Sequence, residues 1–281
     1  MKHKIIIESG STKTSWVFVN DSGQSFSLTR EGYNPVYYAP SVLENMISGL
    51  NSGIDATGVS HIFYYGAGCS ADESKRTVMD SLQKFFPLAQ LEIHHDLFGA
   101  ARALFGNGSG IASILGTGSS TCLIQNSNIK YAVPSLGFLL ADEGSGMHLG
   151  KLLLNAYFKN DLPIELHQAF EEKYGKLDAP FITALYARQK ANAYIASFAP
   201  FVIGHHKNPT ISKLIGKAFR IFFEENILKY PDYHNYNLGF VGSIAWLLRE
   251  HLHEIAQEYD LHINKIIQNP VQELIDYHSK S

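Results

Sequence analysis

The chain opens with the stretch Ile5-Ile6-Ile7-Glu8-Ser9-Gly10-Ser11-Thr12-Lys13-Thr14-Ser15-Trp16-Val17-Phe18-Val19. Two runs of β-branched and aromatic residues flank a short polar segment, which is the pattern of a strand, a tight turn and a second strand. A further turn at 21–23 and the run at 25–29 predict a third strand. Three consecutive strands with short connections form an antiparallel meander, because each tight turn reverses the direction of the chain.

Beyond the meander, the apolar pattern alternates between the helical and the extended period. It predicts helices at 41–50, 72–86 and 97–105 and strands at 61–65 and 91–94. Strands that alternate with helices pair in parallel through crossover connections. The first half of the chain is therefore predicted to form a mixed sheet flanked by helices.

The second half repeats this order of elements. A strand at 111–115, the glycine-rich turn at 116–120 and strands at 121–125 and 129–133 predict a second meander. The elements that follow are a mostly helical stretch at 143–229, a strand at 237–242, a helix at 244–255, a strand at 259–267 and a last helix that ends at 277. Two units of the same order, without obvious sequence identity, indicate a structural repeat and an α/β protein of two similar domains.

The composition fits a protein with two hydrophobic cores and no broad positive surface. The 281 residues suit about two domains, and 45% of the residues are hydrophobic. There are 23 Lys and Arg against 26 Asp and Glu, so the formal net charge is -3. Such a balance provides no general attraction for a nucleic-acid backbone, and we expect no nucleic-acid partner.

Targeting and redox signals are weak in this sequence. The apolar run at 5–7 is too short for the apolar region of a signal peptide, and no apolar stretch approaches the roughly 18 residues of a membrane span. The two cysteines, Cys69 and Cys122, are too few for a disulfide scaffold and lack C-x-x-C spacing. We expect a soluble, cytoplasmic protein with reduced thiols and no membrane partner.

Two turns carry the residue types that bind phosphate, namely backbone N–H donors, small side chains, hydroxyl groups and a cation. The first turn contains Gly10, Ser11, Thr12, Lys13 and Thr14. The second contains Gly116, Thr117, Gly118 and Ser119. Each alone is equally typical of an ordinary hairpin, and the first matches neither the P-loop nor the dinucleotide fingerprint. Their matched positions in the two halves favour a shared role in binding a polyphosphate.

Acidic residues follow predicted strands at three places, at Glu8, at Asp96 and at Asp142 with Glu143. Phosphoryl transfer from ATP needs a carboxylate that holds hydrated Mg²⁺ and a carboxylate that accepts the proton of the acceptor hydroxyl. Open α/β sheets place such groups at the ends of their strands. The alternative role of Asp96 and Asp142 is a helix N-cap, which is the commoner role of Asp just before a helix.

The spacing of the histidines indicates structural roles for them. The adjacent pairs at 94–95 and 205–206 are poorly placed to face one metal ion, and the segment 251–254 lacks the second His of the H-E-x-x-H motif. We therefore expect these histidines at the surface or in satisfied core positions.

Together and in this order, the motifs resemble the BadF/BadG/BcrA/BcrD ATPase family, and within it the N-acetylglucosamine kinase-like branch of the sugar kinase, Hsp70 and actin superfamily. The most specific parts are Glu8 to Thr14, Asp96 with Ala100-Ala101, Gly116-Thr117-Gly118-Ser119, Asp142-Glu143-Gly144-Ser145 and Phe240-Val241-Gly242-Ser243. The resemblance implies two RNase H-like (actin-like ATPase) domains with mixed five-stranded sheets flanked by helices and a cleft between them. The implied limits are 1–108 with 268–281, and 109–267 with a helical insertion.

The resemblance also implies site residues, with ATP and Mg²⁺ as cofactors and a small sugar as the substrate. It assigns Asp96 as the catalytic base for the 6-hydroxyl of the sugar and Glu8 as the metal ligand. The implied ATP-binding residues are Gly10, Ser11, Thr12, Lys13, Thr14, Gly116, Thr117, Gly118, Ser119, Gly239, Gly242 and Ser243. The implied sugar-binding residues are Asn34, Thr117, Gly137 and Asp142. The resemblance is also compatible with a homodimer.

Two other functions stay open at this stage. One is the activator ATPase of 2-hydroxyacyl-CoA dehydratases, a relative that holds an iron–sulfur cluster between two subunits, because two cysteines per subunit provide four ligands. However, Cys69 and Cys122 do not both lie beside the second phosphate turn. The other is a sugar or nucleotide sensor without turnover, although Asp96 and both turns favour an active enzyme.

Overall fold

Contacts between Cα atoms divide the computed structural model, which describes residues 3–10, 12–50 and 55–279, into two units. The first unit comprises Met1–Gly108, Ile124–Ile129 and Asn269–Ser281, and the second comprises Ser109–Leu123 and Lys130–Gln268. The resemblance implies that all of 109–267 lies in the second domain. The segment Ile124–Ile129 groups instead with the first unit, where Ser127 Oγ donates a hydrogen bond to Asn107 Oδ1 at 2.8 Å.

The first unit is built on a five-stranded mixed sheet. Its strands are β1 (His3–Ser9), β2 (Lys13–Asn20), β3 (Ser25–Glu31), β4 (Val59–Gly66) and β5 (Gln90–His95). They lie in the order β3-β2-β1-β4-β5. The hairpins give antiparallel pairing of β1 with β2 and of β2 with β3, and the crossovers give parallel pairing of β4 with β1 and with β5. The predicted meander and the predicted parallel strands are both confirmed.

The second sheet has the same order of strands. It consists of β6 (Gly110–Leu115), β7 (Ser119–Gln125), β8 (Asn128–Ala132), β9 (Leu238–Val241) and β10 (Ile263–Ile267). Read from β8, the order is β8-β7-β6-β9-β10, with β9 parallel to both β6 and β10. The predicted structural repeat is therefore present in the fold.

Helices flank both sheets. They are α1 (Pro40–Ser48), α2 (Asp72–Phe85), α3 (Asp96–Phe105), α4 (Gly146–Phe158), α5 (Ile164–Tyr174), α6 (Ala179–Tyr186), α7 (Ala191–Ala196), α8 (Ala199–Gly204), α9 (Pro209–Glu225), α10 (Ser243–Leu247), α11 (Arg249–Glu258) and α12 (Val271–Ser279). Short 3₁₀ helices lie at Ala56–Gly58, Ile227–Lys229 and Tyr233–Asn235. The longest helix, α9, buries Ile211, Ile215, Phe219 and Phe222, whose spacing of four, four and three residues puts them on one face.

The central strand of the first sheet is covered on both faces. Ile5 and Ile7 belong to the same buried cluster as Trp16 and Leu82. The side chain of Ile6 points to the opposite face, where α3 and α12 contact β1, and it is buried as well. A continuous run of three isoleucines is typical of such a strand, because no face of it is left to water.

The prediction for 244–255 is wrong in one respect, since the segment forms two helices instead of one. The helix breaks at Leu248, whose backbone angles are φ -112° and ψ 24°. Leu248 is buried, and its N–H and carbonyl still bond to Ile244 and Leu252 at 3.0 Å each. No Gly or Pro marks the break, so burial of this side chain in the core outweighs the local preference for one straight helix.

The last strand also starts later than the predicted residue 259. Tyr259 is the C-cap of α11, and Asp260 has a left-handed φ of 56°. The strand β10 begins only at Ile263. Across the described part of the chain, no helix combines the length and the apolar character that crossing a membrane requires.

Candidate functional site

The first phosphate-type turn joins β1 to β2 in the first unit. Ser9 and Thr14 face each other in the strand register, and their hydroxyl oxygens lie 2.8 Å apart. The Ser9 hydroxyl also donates to the Tyr33 carbonyl at 2.9 Å, and the Gly10 N–H donates to the Lys13 carbonyl at 2.9 Å. The turn is therefore held at its base by buried hydroxyl groups.

The predicted ATP-binding residues of this turn differ in their surroundings. Thr12 and Lys13 are exposed, whereas Thr14 is fully buried and its hydroxyl bonds to Ser9. Ser11 lies outside the described residues. Thr14 is thus placed to support the turn through its bond to Ser9.

Glu8 is the acidic residue next to this turn. It lies in β1, paired with Ser15 of β2 and Tyr65 of β4. Burial and the nearby charge of Asp96 raise the pKa of the Glu8 carboxyl to about 7, and the charge of Lys13 opposes this rise. A bound cation would relieve the same two unfavourable effects.

Asp96 lies where β5 ends and α3 begins. Strands β1, β4 and β5 are parallel, so Asp96 and Glu8 come from the same edge of the sheet. Asp96 Oδ1 accepts a hydrogen bond from the Leu97 N–H at 2.8 Å, and the side chain is 20% exposed. Asp96 is the first residue of α3 and not its N-cap, since the N-cap is His95.

His95 is a residue that the sequence prediction assigned to a structural role. Its Nδ1 lies 2.9 Å from Asp96 Oδ1, so it belongs to the surroundings of the candidate base. Burial lowers the pKa of His95, but the hydrogen bond to Asp96 and the charge of Asp96 outweigh this effect and raise the pKa above its usual value. The only feature of the sequence that points to this contact is the position of His95 directly before the candidate base.

Asn34 follows the meander in the first unit and is nearly buried. Its Oδ1 accepts a hydrogen bond from the Val36 N–H at 2.9 Å. Gly68, which has a left-handed φ of 80°, lies against this side chain, and any Cβ at that position would collide with it. Asn34 is therefore fixed by its own turn and by the loop after β4.

The second phosphate-type turn joins β6 to β7 in the second unit. Its Gly116 N–H donates to the Gly118 carbonyl at 3.0 Å. Two carbonyls of the turn, those of Gly116 and Thr117, accept hydrogen bonds from Gly146 and Met147 at 2.8 and 3.0 Å. These donors belong to the first turn of α4, so the start of this helix is bonded to the turn.

Asp142 also supports this second turn. Its Oδ1 accepts a hydrogen bond from the Ser119 N–H at 3.0 Å, and its backbone has a left-handed φ of 66°. Burial raises the pKa of Asp142, while the bond from Ser119 opposes the rise. The N-cap of α4 is Ser145, whose Oγ accepts from the His148 N–H. Asp142 is therefore not a helix N-cap.

The remaining predicted residues lie in the second unit. Gly137, with a left-handed φ of 71°, accepts hydrogen bonds at its carbonyl from Leu140 and Ala141. Gly239 is buried within β9. Gly242, with a φ of 127°, lies so close to the Leu115 carbonyl that a Cβ would collide with it.

Ser243 is the first residue of α10 and is exposed. Serine is a favoured N-cap residue, but the N-cap of α10 is Gly242 and not Ser243. The required φ at Gly242 explains why glycine occupies the N-cap, because a residue with a side chain disfavours that backbone conformation.

The two cysteines are unsuited to a shared cluster. Both side chains are fully buried, and burial raises the pKa of each thiol to about 12. An iron–sulfur cluster is held by thiolates, and a cluster between two subunits requires them at a surface. The positions of Cys69 and Cys122 therefore count against the activator ATPase.

Solved structures that resemble this chain include two proposed N-acetylglucosamine kinases. The one from Porphyromonas gingivalis is 32% identical, with a TM-score of 0.92, and the match covers 100% of this chain and 99% of that chain. The one from Chromobacterium violaceum is 16% identical, with a TM-score of 0.73 and 99% of each chain covered.

A ROK family glucokinase from Streptomyces griseus, solved with glucose and AMPPNP, is 12% identical, with a TM-score of 0.57 and 99% of each chain covered. These likenesses confirm the predicted actin-like ATPase fold. No family model matches the sequence, and no curated protein matches it either. Membership of the BadF/BadG/BcrA/BcrD family stays a prediction.

Proposed function

Because the chain belongs to the same family as the Porphyromonas gingivalis protein, a family of sugar kinases with the actin-like ATPase fold, we propose that it transfers the γ-phosphate of ATP to a sugar hydroxyl. The acceptor we propose is an amino sugar, either N-acetylglucosamine at its 6-hydroxyl or a close relative. The observation that carries this proposal is the placement of Asp96. It lies at the carboxyl edge of parallel strands, partly exposed, with one carboxylate oxygen hydrogen-bonded.

In this proposal, Asp96 is the catalytic base. Its Oδ2 accepts the proton of the sugar hydroxyl while the sugar oxygen forms a bond to the γ-phosphorus. The bond from that phosphorus to the β,γ-bridging oxygen breaks, and ADP leaves. Such a transition state requires little covalent chemistry from the protein, so accurate placement of the reacting groups provides most of the rate.

The residues near Asp96 fit a magnesium ion that is shared with ATP. Within the described residues, no three His, Cys, Asp or Glu side chains are grouped as a metal cage. Mg²⁺ usually keeps several waters and takes one or two carboxylates together with substrate phosphates. Glu8, whose pKa is raised by burial and by Asp96, is the carboxylate we assign to it. A bound Mg²⁺ would neutralise charge that develops on the phosphates.

We assign the two turns to the phosphates of ATP. The first offers the exposed Thr12 and Lys13, and the resemblance adds Gly10, Ser11 and Thr14. The second offers Gly116, Thr117, Gly118 and Ser119, and its backbone is fixed by α4 and by Asp142. Adenosine binding is assigned to Gly239, Gly242 and Ser243.

The amino sugar is assigned to Asn34, Thr117, Gly137 and Asp142. Asn34 and Asp142 each use Oδ1 for a backbone N–H of their own unit. Their remaining polar atoms, Nδ2 of Asn34 and Oδ2 of Asp142, are the groups that we expect to bind sugar hydroxyls. Asp142 would then connect sugar binding with the second phosphate turn.

The first experiment is ADP release from MgATP across a panel of acceptors. The panel contains N-acetylglucosamine, N-acetylmuramic acid, glucosamine and glucose, and a reaction without sugar measures background ATP hydrolysis. We expect the largest kcat/KM with an N-acetylated amino sugar and a product phosphorylated at the 6-hydroxyl. ADP release that no sugar stimulates would remove the kinase proposal.

The second experiment replaces the proposed base. Asp96→Asn keeps the size of the side chain but removes its basicity, and we expect kcat to fall by roughly 10² to 10⁴. Asp72→Asn is the matched control, because Asp72 is also the first residue of a helix in the same unit and its side chain is 96% exposed. An unchanged kcat for Asp96→Asn would exclude the assigned role, whatever the acceptor is.

A further inference from the structure

We propose that His95 is a positioning residue that holds the base of the proposed kinase through a hydrogen bond from Nδ1–H to Asp96 Oδ1. This inference rests on the proposed function for its catalytic meaning, although the hydrogen bond can be tested without any reaction. It also assigns the two oxygens of Asp96 different tasks. Oδ1 is held by the protein, and Oδ2 receives the proton of the acceptor.

Three polar atoms meet at the junction of β5 and α3. His95 Nδ1 lies 2.9 Å from Asp96 Oδ1, and the Leu97 nitrogen lies 2.8 Å from the same oxygen. The Leu97 N–H also donates to His95 Nδ1 at 3.3 Å, so this N–H is shared between two acceptors. Leu97 has one N–H, and its shorter contact is with Asp96.

This arrangement determines where the imidazole carries its proton. If Nδ1 had only a lone pair, two electron-rich atoms would face each other at 2.9 Å. A proton on Nδ1 turns the same contact into a charge-assisted hydrogen bond. In the proposed arrangement His95 Nδ1 therefore donates to Asp96 Oδ1, and the Leu97 N–H no longer bonds to Nδ1 but donates to the same carboxylate oxygen alone.

The backbone keeps this pair in place. His95 is the last residue of β5, paired with Gly66 of β4, and has an extended ψ of 148°. Asp96 is the first residue of α3. Because a strand fixes one residue and a helix fixes the next, the backbone at this pair has little freedom to move. Both are largely covered, with 29% and 20% of the side chains exposed.

The surrounding charges act on both members of the pair. Asp96 raises the pKa of Glu8 in β1, of Tyr64 in β4 and of Cys69 in the loop after β4, so these groups lie within reach of its charge. Lys75 of α2 is the cation that opposes protonation of His95. Burial also opposes it, yet the hydrogen bond and charge of Asp96 raise the pKa of His95 above its usual value.

The consequence for the reaction is a carboxylate with one orientation. Two donors on Oδ1 prevent rotation of the group, so that Oδ2 keeps a constant direction toward the acceptor hydroxyl. Misplacement of a reacting group by about 1 Å can lower a rate by about 10²-fold. Loss of the His95 donor should therefore lower kcat more than it affects the binding of ATP.

The test compares two substitutions of His95 that differ in their reach toward Asp96. In His95→Asn the amide nitrogen takes the place of Nδ1 as a donor, whereas the shorter side chain in His95→Ser cannot reach Asp96 as the ring does. We expect His95→Ser to lower kcat about 10-fold or more, with KM for ATP changed less than about 2-fold. We expect His95→Asn to retain most of the wild-type kcat. His94→Asn, at the neighbouring residue, is the control and should keep the wild-type kcat.

Two further measurements separate positioning from a merely structural role. The pH profile of kcat should contain a step from His95 in the wild type, with kcat rising as the ring loses its charge, and His95→Asn should lack this step. Long-range ¹H–¹⁵N NMR spectra at high pH should show a proton on Nδ1 of neutral His95, and Asp96→Asn should change this signal.

The outcomes are distinguishable from those of the proposed function. Wild-type protein that phosphorylates no sugar would overturn the kinase proposal and with it the catalytic part of this inference, while the NMR spectra still decide the hydrogen bond. A neutral His95 protonated on Nε2 would overturn the hydrogen bond itself. An active wild type with unchanged kcat in His95→Ser, at similar thermal stability, would overturn the positioning role.

Discussion

The two phosphate-type turns occupy the same place in two sheets of identical strand order, yet they are supported differently. In the first unit, the turn between β1 and β2 rests on hydroxyl groups of its own hairpin, with Ser9 bonded to Thr14 and to the carbonyl of Tyr33. In the second unit, the turn between β6 and β7 rests on the start of α4 and on the carboxylate of Asp142.

This difference shows that turns of similar sequence can be stabilised by different kinds of hydrogen-bond partner. The acidic residue beside the first turn, Glu8, has no described hydrogen-bond donor to its carboxylate, whereas Asp142 accepts a backbone N–H. The glycines differ as well. A Cβ at Gly10 would meet its nearest atom at 3.7 Å, whereas a Cβ at Gly118 would lie 2.8 Å from Asp142 Oδ1.

The largest expected effect concerns the two acidic residues and pH. The folded-state pKa of Glu8 is about 7 against an ordinary value of 4.5. Folding therefore favours protonated Glu8, and this contribution to stability is complete below about pH 4.5 and is lost as the pH rises through 7. As the pH rises from 5 to 8 in the absence of metal, the free energy of unfolding of Glu8→Gln should increase relative to that of the wild type by up to about 3 kcal/mol.

Urea unfolding in EDTA at the two pH values measures this gain. Asp142→Asn is the comparison, because the pKa of Asp142 is also raised by burial but the bond from Ser119 opposes the rise. Its gain should therefore be smaller. Equal pH dependence of Glu8→Gln and wild-type protein would mean that Glu8 is well solvated in the folded state.

The second prediction uses the glycines. Gly118→Ala forces the new Cβ against Asp142 and should lower the free energy of unfolding by about 2 kcal/mol, a usual value for overpacking. Gly10→Ala and Gly116→Ala are the controls, since one meets only an ordinary contact and the other meets no atom within 4 Å. Denaturant unfolding curves with equal slopes would check the ranking, and a destabilised Gly10→Ala would contradict it.

The smallest effect concerns the serines. Ser9→Ala removes the hydroxyl that bonds to the backbone of Tyr33 and should lower stability by about 1 kcal/mol. Ser119 supports its turn through its backbone N–H, which alanine retains, so Ser119→Ala should change stability by less than about 0.5 kcal/mol. Thermal unfolding of the two variants side by side measures the difference. A larger loss in Ser119→Ala would reverse the comparison.

Much of the fold could be predicted from local sequence patterns. The strands of both meanders and the helices α2 and α3 lie within a few residues of their predicted bounds, because hydrophobic period and turn residues act over short distances. The break at Leu248 could not be predicted, since it depends on burial against distant residues. The same holds for Ile124–Ile129, whose grouping follows from its contacts with the first unit.

The candidate site divides in the same way. The residue types of the two turns and the position of Asp96 at a strand end were visible in the sequence. The roles of Thr14, Asp142 and His95 were not, because each depends on a hydrogen-bond partner that only the folded chain brings near or orients.

The sequence by itself determined the repeated order of strands and helices and the chemical groups available at each turn, because both follow from residue type and spacing along the chain. Only the tertiary structure decided which groups are already bonded within the protein and which carboxylate oxygen is held. Those properties depend on distances of about 3 Å between atoms that lie far apart in sequence or whose orientation the sequence does not fix.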